Sequence, residues 1–358
     1  MIGQFKKFTL QMIAGANIAT AIIMLLIGFS DRISPENHPI LSSAGLAFPA
    51  LLFINVCFLI FFIFFKRRYI IIPLAGFILC YSPIRNYFPL NISKETPSDC
   101  IKVLSYNVYN YNRENVAEGE KNPIIEYIIG SDADIVCLQE AKYDDNIISE
   151  IKNVYLYRDS VLSNDRGECL ALFCKFPILS KEKINYKSKG NVSGAFKIKI
   201  GKDTVTVINN HFETSGLSLA DRADFKKMVK GKAEGDSMKA ESKRLIVKLG
   251  ESAKIRAPQA EAVAKYIRET KGSIILCGDF NDNPISYTHY VLDKELTDCY
   301  ISTANGPGIS YHHNAIFVRI DNIMCSSDWE PYNCKVDNSI AFSDHYPIFC
   351  WLKKRDIQ

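Results

Sequence analysis

Acidic residues are almost missing from the first 92 positions of this 358-residue chain, where Asp31 and Glu36 stand against seven Lys/Arg. The remainder lacks a basic excess, since residues 93–358 carry 36 basic and 37 acidic side chains. That balance excludes the electrostatic footprint of a strongly basic nucleic-acid binder over three quarters of the molecule. Collagen periodicity, heptads and internal repeats of about 20–50 residues are absent, which excludes fibres and solenoids. Disulfide spacing is absent as well. Nine of the 11 Cys lie beyond residue 92, and several sit in apolar, strand-like runs, such as Cys137 in DIVCLQE and Cys277 in IILCGDF. They read as buried core thiols and lean weakly towards a reducing compartment. No tight Cys/His cluster suited to zinc occurs. With 47% apolar and 23% charged residues, the chain is folded, and its length suits more than one average domain but fewer than three.

What the first quarter does have is hydrophobic length. Thr9–Phe29 runs 21 residues without a charge and Ile40–Phe65 runs 26. At about 1.5 Å of helical rise per residue, roughly 20 apolar residues cross the ~30 Å hydrocarbon layer, so both read as transmembrane helices. A third run, Tyr69–Ile84, has 16 residues and contains Pro73 and Pro83. It crosses if Arg85 snorkels to the interface and residues 86–90 extend it. The first run is too long for the apolar segment of a cleaved signal peptide. No ionisable residue interrupts these runs to make an ion path, so residues 1–92 read as an anchor of two to three helices, not a channel or transporter. Lys6 and Lys7 before the first run, and Lys66, Arg67 and Arg68 after the second, place both flanks in the cytoplasm. Everything beyond Leu90 is then outside the cytoplasm if the third run crosses, and inside if it lies in the interface.

Residues 93–99 form a polar linker, and residues 100–358 a soluble domain. Short runs rich in Val, Ile and aromatics predict strands at 101–106, 135–138, 169–174, 195–200, 204–209, 273–277, 320–325 and 348–352. Helical spacing appears over 123–129 and 260–270. A basic insert at about 216–256 reads as two or three helices broken at Gly231, Gly235 and Gly250; from Ser218 to Arg256 it holds 11 Lys/Arg against six acids. It is either a solvated charged hairpin or a basic arm facing an anionic substrate or a lipid surface. Strands with helices between them predict an α/β or α+β sandwich.

Six apolar runs end in, or lead into, residues that can hold metal or phosphate: Asn107 (VLSYN), Glu140 (DIVCLQE), His211 (VINNH), Asp279 and Asn281 (LCGDFN), Asp321 (RIDN), and Asp344 with His345 (FSDHYP). Taken singly, each is an ordinary turn or strand-end residue. Strand ends that converge on one rim of a sheet would gather them into one pocket. Glu140 is a hard oxygen ligand suited to magnesium or manganese, with Asn107 and Asp344 as further contacts.

The ordered set LQE, GDFN and SDHYP resembles the endonuclease/exonuclease/phosphatase superfamily, the deoxyribonuclease-I-like fold, over roughly residues 100–354. The resemblance implies a four-layer α/β sandwich, two packed mixed sheets flanked by helices, here preceded by the transmembrane anchor. It implies hydrolysis of a phosphodiester or phosphomonoester by metal-assisted attack of water. Asp279 then matches the acid that holds or deprotonates the water, and Asn281 an amide donor to phosphate. His345 contacts the phosphate and Asp321 fixes its tautomer. His211 stands where deoxyribonuclease-like and sphingomyelinase-like members have a histidine, and Glu168 is a loose candidate partner for it. Arg256 and Gln259 resemble an Arg-x-x-Gln element, with Arg256 and Asn210 as candidate substrate contacts. Metal would sit on Asn107, Glu140 and Asp344. The expected partners are a phosphate-ester substrate, lipid headgroup or nucleic acid, and the bilayer, with no obligate protein partner. Members with hydrophobic N-terminal helices are bacterial, so the expected site is the inner (plasma) membrane, multi-pass, with a periplasmic catalytic domain. The alternatives are a non-specific extracytoplasmic nuclease of the same fold and a catalytically inactive scaffold.

Overall fold

The computed structural model describes residues 2–117, 119–142, 145–163, 167–230 and 235–355. The first apolar run folds as α1 (Ile2–Gly28) and the second, after a single turn α2 (Pro39–Ser42), as α3 (Phe48–Phe65). With adjoining turns they make two stretches, Gln4–Arg32 and Pro39–Phe65, long and apolar enough to cross a membrane. A polar contact joins them: buried Asn17 donates Nδ2 to Asn55 Oδ1 at 2.8 Å, and Asn55 donates its own Nδ2 to the Leu51 carbonyl at 2.9 Å. Such a pair sets the register of helices whose apolar faces would otherwise slide. The third run is a broken helix, α4 (Ile71–Leu79) and α5 (Tyr81–Tyr87), bent by 68°. Pro83 accounts for the break, because it has no N–H for the Leu79 carbonyl and its ring crowds that oxygen.

The remaining chain begins with β1 (Ile101–Asn107), α6 (Pro123–Gly130), β2 (Ile135–Lys142), α7 (Asp145–Ile151) and β3 (Tyr157–Leu162). Next come β4 (Glu168–Cys174), β5 (Ile178–Ile184), β6 (Val192–Ile200), β7 (Asp203–His211), α8 (Leu219–Val229) and α9 (Gly235–Glu269). It closes with β8 (Ser273–Asp279), α10 (Tyr287–Asp293), β9 (Thr297–Asp298), α11 (Cys299–Thr303), β10 (Asp321–Cys325), β11 (Trp329–Val336) and β12 (Ile348–Lys354). Two six-stranded sheets result, ordered β11-β12-β1-β2-β4-β3 and β5-β6-β7-β8-β10-β9. Each is mixed, with β1/β2 and β7/β8 parallel. Alternate residues of both sheets (Val103, Leu172, Phe196, Val207, Ile275, Ile348) interleave in one dry core. The outer face of the first sheet packs on α6 and α7, and that of the second on α9 and α10. The expected sandwich is therefore present.

The eight strands predicted from sequence are the eight interior ones. The four unpredicted strands, β3, β5, β9 and β11, are the four sheet edges. β5 (ILSKEKI) is mostly exposed and charged, β9 has two residues, and β11 carries Pro331 and a register shift. Charge, brevity, proline and bulges blunt an edge against further pairing and erase the apolar alternation that marks a strand. The insert also differs from expectation. Gly250 does not break a helix, because α9 runs through it. It is there because the turn α2 lies against it: a Cβ would stand 2.8 Å from the Pro39 carbonyl oxygen. Gly231 lies outside the described residues.

The apolar N-terminal region is seated on the sandwich at several points. A Cβ at Gly45 would meet the Ile285 carbonyl at 2.1 Å, so only glycine fits there. The Tyr87 hydroxyl lies 3.0 Å from Asn283 Oδ1 and 3.1 Å from the Gly45 carbonyl. Arg319 donates Nη2 to the Asn86 carbonyl at 2.6 Å, and Asn91 donates Nδ2 to the carbonyls of Ile301 and Ala304 at 3.1 and 2.6 Å. Arg85 donates Nη2 to the Ile301 carbonyl at 3.2 Å and to Asn91 Oδ1 at 3.1 Å.

A polar pin joins the sheets. Gln139 of β2 donates Nε2 to Asn209 Oδ1 of β7 at 2.7 Å, and Asn209 donates Nδ2 to the Leu138 and Ala171 carbonyls at 3.0 and 3.1 Å. Asn209→Leu strands buried donors and acceptors, so it should lower stability by about 2–4 kcal/mol. Thermal unfolding of the full chain in detergent measures this, and an unchanged midpoint would contradict the pin.

Candidate functional site

The rim of the sandwich beside this pin collects polar strand ends. Asn107 closes β1, His211 closes β7 and Asp279 closes β8, with His211 and Asp279 paired in register. Asp321 opens β10 opposite Asp279 in the antiparallel ladder. Glu140 belongs to β2 at a bulge where the pairing with β4 shifts between Leu138 and Ala141. Its φ of +52° is left-handed, and the bulge breaks the alternation after Gln139. His345 comes from the loop ahead of β12, bridged in β fashion to Tyr311.

These side chains meet. Asn107 donates Nδ2 to Glu140 Oε1 and to Asp279 Oδ2, both at 3.1 Å. His211 Nε2 lies 3.5 Å from Glu140 Oε1 and 3.8 Å from Asp279 Oδ2. His345 holds Asp321 Oδ2 through Nδ1 at 2.8 Å and points Nε2 at Asp279 Oδ2, 3.7 Å away. Asp279 Oδ1 accepts the Asn281 backbone N–H at 2.7 Å, and Asn281 donates Nδ2 to the Phe212 carbonyl at 3.0 Å. Asp344 is half-buried beside them, its carbonyl accepting from the His312 N–H.

Burial and mutual repulsion set the charge states. Burial, then Asp321, push Asp279 up to about 6, against the pull of His345 and His211. Burial also raises Glu140, and Asp344 and Glu168 add to it, while the Asn107 amide opposes. Burial works against a charged His345, but Asp321 and Asp279 outweigh it and raise its pKa to about 10. Burial lowers His211, which therefore stands neutral. A protonated imidazole thus sits between two buried carboxylates, and a neutral one faces Glu140.

The site fits a hard divalent cation by its carboxylates, crowded until Glu140 and Asp279 resist ionisation. Asp279, Asp321 and His345 offer ligand atoms within 4.8 Å of one another. His345 is nevertheless a poor ligand as it stands, because its Nδ1 is committed to Asp321 and the ring is protonated. Of the expected ligands, Glu140 faces the rim with Asp344 close enough to act on its charge, whereas Asn107 presents its N–H side to Glu140 and its Oδ1 accepts the Tyr109 N–H at 3.2 Å. The His211 Nε2 and Asp321 Oδ1 atoms are buried and have no hydrogen-bond partner among the described residues.

Two expected substrate contacts fall elsewhere. Asn210 shares a strand with Asn209 and His211, so alternation turns it to the opposite face, with Ile208 and Phe212 under α9. Both of its amide atoms are buried without a partner. Arg256 is buried and committed, donating Nε to Asp282 Oδ2 and Nη1 to the Glu213 carbonyl, each at 3.1 Å. It braces the loop after Asn281. Gln259 braces the loop after His211, accepting from the Glu213 N–H at 2.9 Å. Glu168 opens β4, and its charge acts on both His211 and Glu140. The sequence reading missed Tyr311 and Arg222. The Tyr311 ring stands edge-on to His345, centroids 5.1 Å apart, and Arg222 of α8 donates to its hydroxyl at 2.5 Å. Only the charge excess of the insert hinted at Arg222.

The sequence pattern of the endonuclease/exonuclease/phosphatase family matches residues 104–345, and that of a domain of unknown function matches residues 10–87. A search of curated proteins finds no match. Among solved structures, a functionally unknown conserved protein from Enterococcus faecalis V583 is similar at 17% identity, covering 71% of this chain and 100% of its own, with a TM-score of 0.51. The human Nocturnin catalytic domain with bound sulfate anion is similar at 16% identity, covering 73% and 96%, with a TM-score of 0.51. An endonuclease/exonuclease/phosphatase from Bacteroides vulgatus is similar at 17% identity, covering 72% and 99%, with a TM-score of 0.50. At these identities the likeness is one of fold.

The charge states make stability depend on pH. His345 binds its proton more tightly folded than unfolded, so its contribution is complete below the ordinary 6.5 and is lost as pH rises towards about 10. Metal-free full-length protein should lose thermal stability over that window. Asp321→Asn should flatten the loss; an unchanged slope would separate the two residues.

Proposed function

The chain belongs to the endonuclease/exonuclease/phosphatase family, and from that membership we propose that it is a membrane-tethered, divalent-metal-dependent phosphoesterase that hydrolyses its substrate by attack of water. The meeting of Asn107, Glu140, His211, Asp279, Asp321 and His345 around one buried point carries this reading. A cation on Glu140 and Asp344, with Asn107 orienting the Glu140 carboxylate, would neutralise charge on the phosphate oxygens. Asp279, poised near 6, is mostly ionised at neutral pH and able to take a proton from water, while Asn107 and the Asn281 N–H hold its two oxygens in place. His345, kept protonated by Asp321, offers Nε2–H to a phosphate oxygen. Neutral His211 stands across from it, its Nε2 3.5 Å from Glu140 Oε1, and as Nε2–H can hydrogen-bond to the leaving oxygen. The full set of polar positions is intact, which supports an enzyme over a scaffold.

The start of the second candidate span (Pro39, Gly45) and the end of the broken third helix with the residues after it (Arg85, Tyr87, Asn91) both rest on the sandwich. They therefore share its side of the bilayer. Together with cationic flanks at Lys6, Lys7 and Lys66–Arg68, this supports a third run that crosses and a catalytic domain outside the cytoplasm.

Full-length protein in detergent should hydrolyse bis-p-nitrophenyl phosphate with magnesium or manganese and stop in chelator; full activity in excess chelator would end the proposal. Asp279→Asn and His345→Ala should each reduce kcat by at least ~10²-fold without lowering expression. An alkaline phosphatase fused at the C-terminus should be active, and a fluorescent-protein fusion dark.

A further inference from the structure

Helix α9 carries a mixed face on which one glycine is buried and the apolar and basic side chains around it are exposed. Lys239, Lys243, Ile246, Gly250 and Lys254 follow one another at spacings of three and four, and Val247 lies four from Lys243 and three from Gly250, so they share one side of the helix. Gly250 is buried against the Pro39 backbone, where the second candidate span begins. One turn away, Ile246 and Val247 are exposed, and so are Ile40 and Leu41 next to Pro39. The exposed apolar side chains of α9 and α2 therefore adjoin, with Lys239 and Lys243 continuing the stripe outward. The neighbouring helix α8 adds exposed Lys226, Lys227, Lys230 and Val229. It is locked to α9 through Asp221, which accepts from Lys248 at 2.5 Å and pairs with Arg244 at 3.1 Å.

We propose that the α8–α9 arm lies on the bilayer surface, with Ile246, Val247, Ile40 and Leu41 in the headgroup–acyl boundary and Lys239 and Lys243 on anionic phospholipid headgroups. Continuity with the anchor and charge complementarity both select this occupant. The patch begins where a candidate span enters the bilayer, so no gap separates it from lipid. Apolar side chains flanked by lysines are also what an interfacial helix requires. The arm then spans from membrane to site, because α8 also carries Arg222, whose guanidinium holds the Tyr311 hydroxyl beside His345. A substrate presented in the headgroup layer would meet the site over the arm. The inference rests on the reading of residues 4–32 and 39–65 as membrane spans.

Tryptophan scanning in nanodiscs tests it. The full chain is placed in phosphatidylcholine discs with or without phosphatidylglycerol, using brominated acyl chains as quencher. Val247→Trp emission should be blue-shifted and lose most of its intensity in the anionic discs, and Lys239→Glu with Lys243→Glu should abolish that loss. Leu156→Trp, exposed near β3 on the far sheet, should stay unquenched. Phe53→Trp in α3 reports on the span itself and should be quenched in every disc. If Phe53→Trp is quenched but Val247→Trp emits as in water, the span reading stands and the arm does not touch lipid. If neither is quenched, the span reading has failed first. Shielding of Val247→Trp that vanishes on dilution of protein in lipid would identify a second copy as the occupant and overturn the proposal.

Discussion

Two carboxylates that face each other across one rung of a β ladder, both out of water, are the constraint on which this molecule turns. Asp279 and Asp321 end up opposed because β8 and β10 pair in that register, and neither can leave without breaking the sheet. Left alone, one of them would stay protonated. His345 resolves the conflict by lying against Asp321 and pointing its other nitrogen at Asp279, so that a cation occupies the space between. The rest of the rim follows from that arrangement. Asn107 ties Asp279 to Glu140, the Asn281 turn holds the second Asp279 oxygen, and His211 is left neutral with a nitrogen free.

Holding such a cluster demands a stiff support, and the fold provides it from two directions. Between the sheets, Gln139 and Asn209 lock the strands that carry Glu140 and His211. Beyond the rim, the loop that follows Asn281 is braced by Arg256 on Asp282 and by Tyr87 on Asn283. The second brace belongs to the apolar N-terminal region. The segment that can enter a bilayer is therefore part of the support of the site, and its removal would free a loop two residues from Asn281. A tether on a flexible linker would show none of these contacts. Residues 91–96 instead lie bonded to the domain at Ile301, Ala304, Glu330 and Asn333.

The sequence was most legible where burial imposes a pattern. Interior strands are packed on both faces, so each reads as a run of Val, Ile and Leu, and all eight are visible from composition and punctuation. The four edges are not, because what protects an edge from aggregation is the removal of that pattern. The same logic covers the site. Asn107, Glu140, His211, Asp279, Asp321 and His345 stand out because they interrupt or end apolar strands, where a polar residue needs a reason. Asn210 was misread since adjacency in sequence means opposite faces in a strand. Arg256 was misread since a cation near a motif finds whichever carboxylate the fold brings first, here Asp282. Gly250 resembled a helix breaker, but its role is to let another backbone come close.

By itself the sequence determined the chemistry available: which side chains can carry protons and hold a cation, how many apolar residues can enter a bilayer, and the order of strands that belong inside. Those properties are local, set by side-chain type and by periodicity along a few residues. Only the tertiary structure decided that Arg222 holds Tyr311, which stands edge-on to His345, that Asp279 opposes Asp321, and that Pro39, Gly45 and Tyr87 seat the apolar region on the sandwich. Each of these joins residues tens to hundreds of positions apart, and their meeting depends on strand register and helix packing, which no local pattern records.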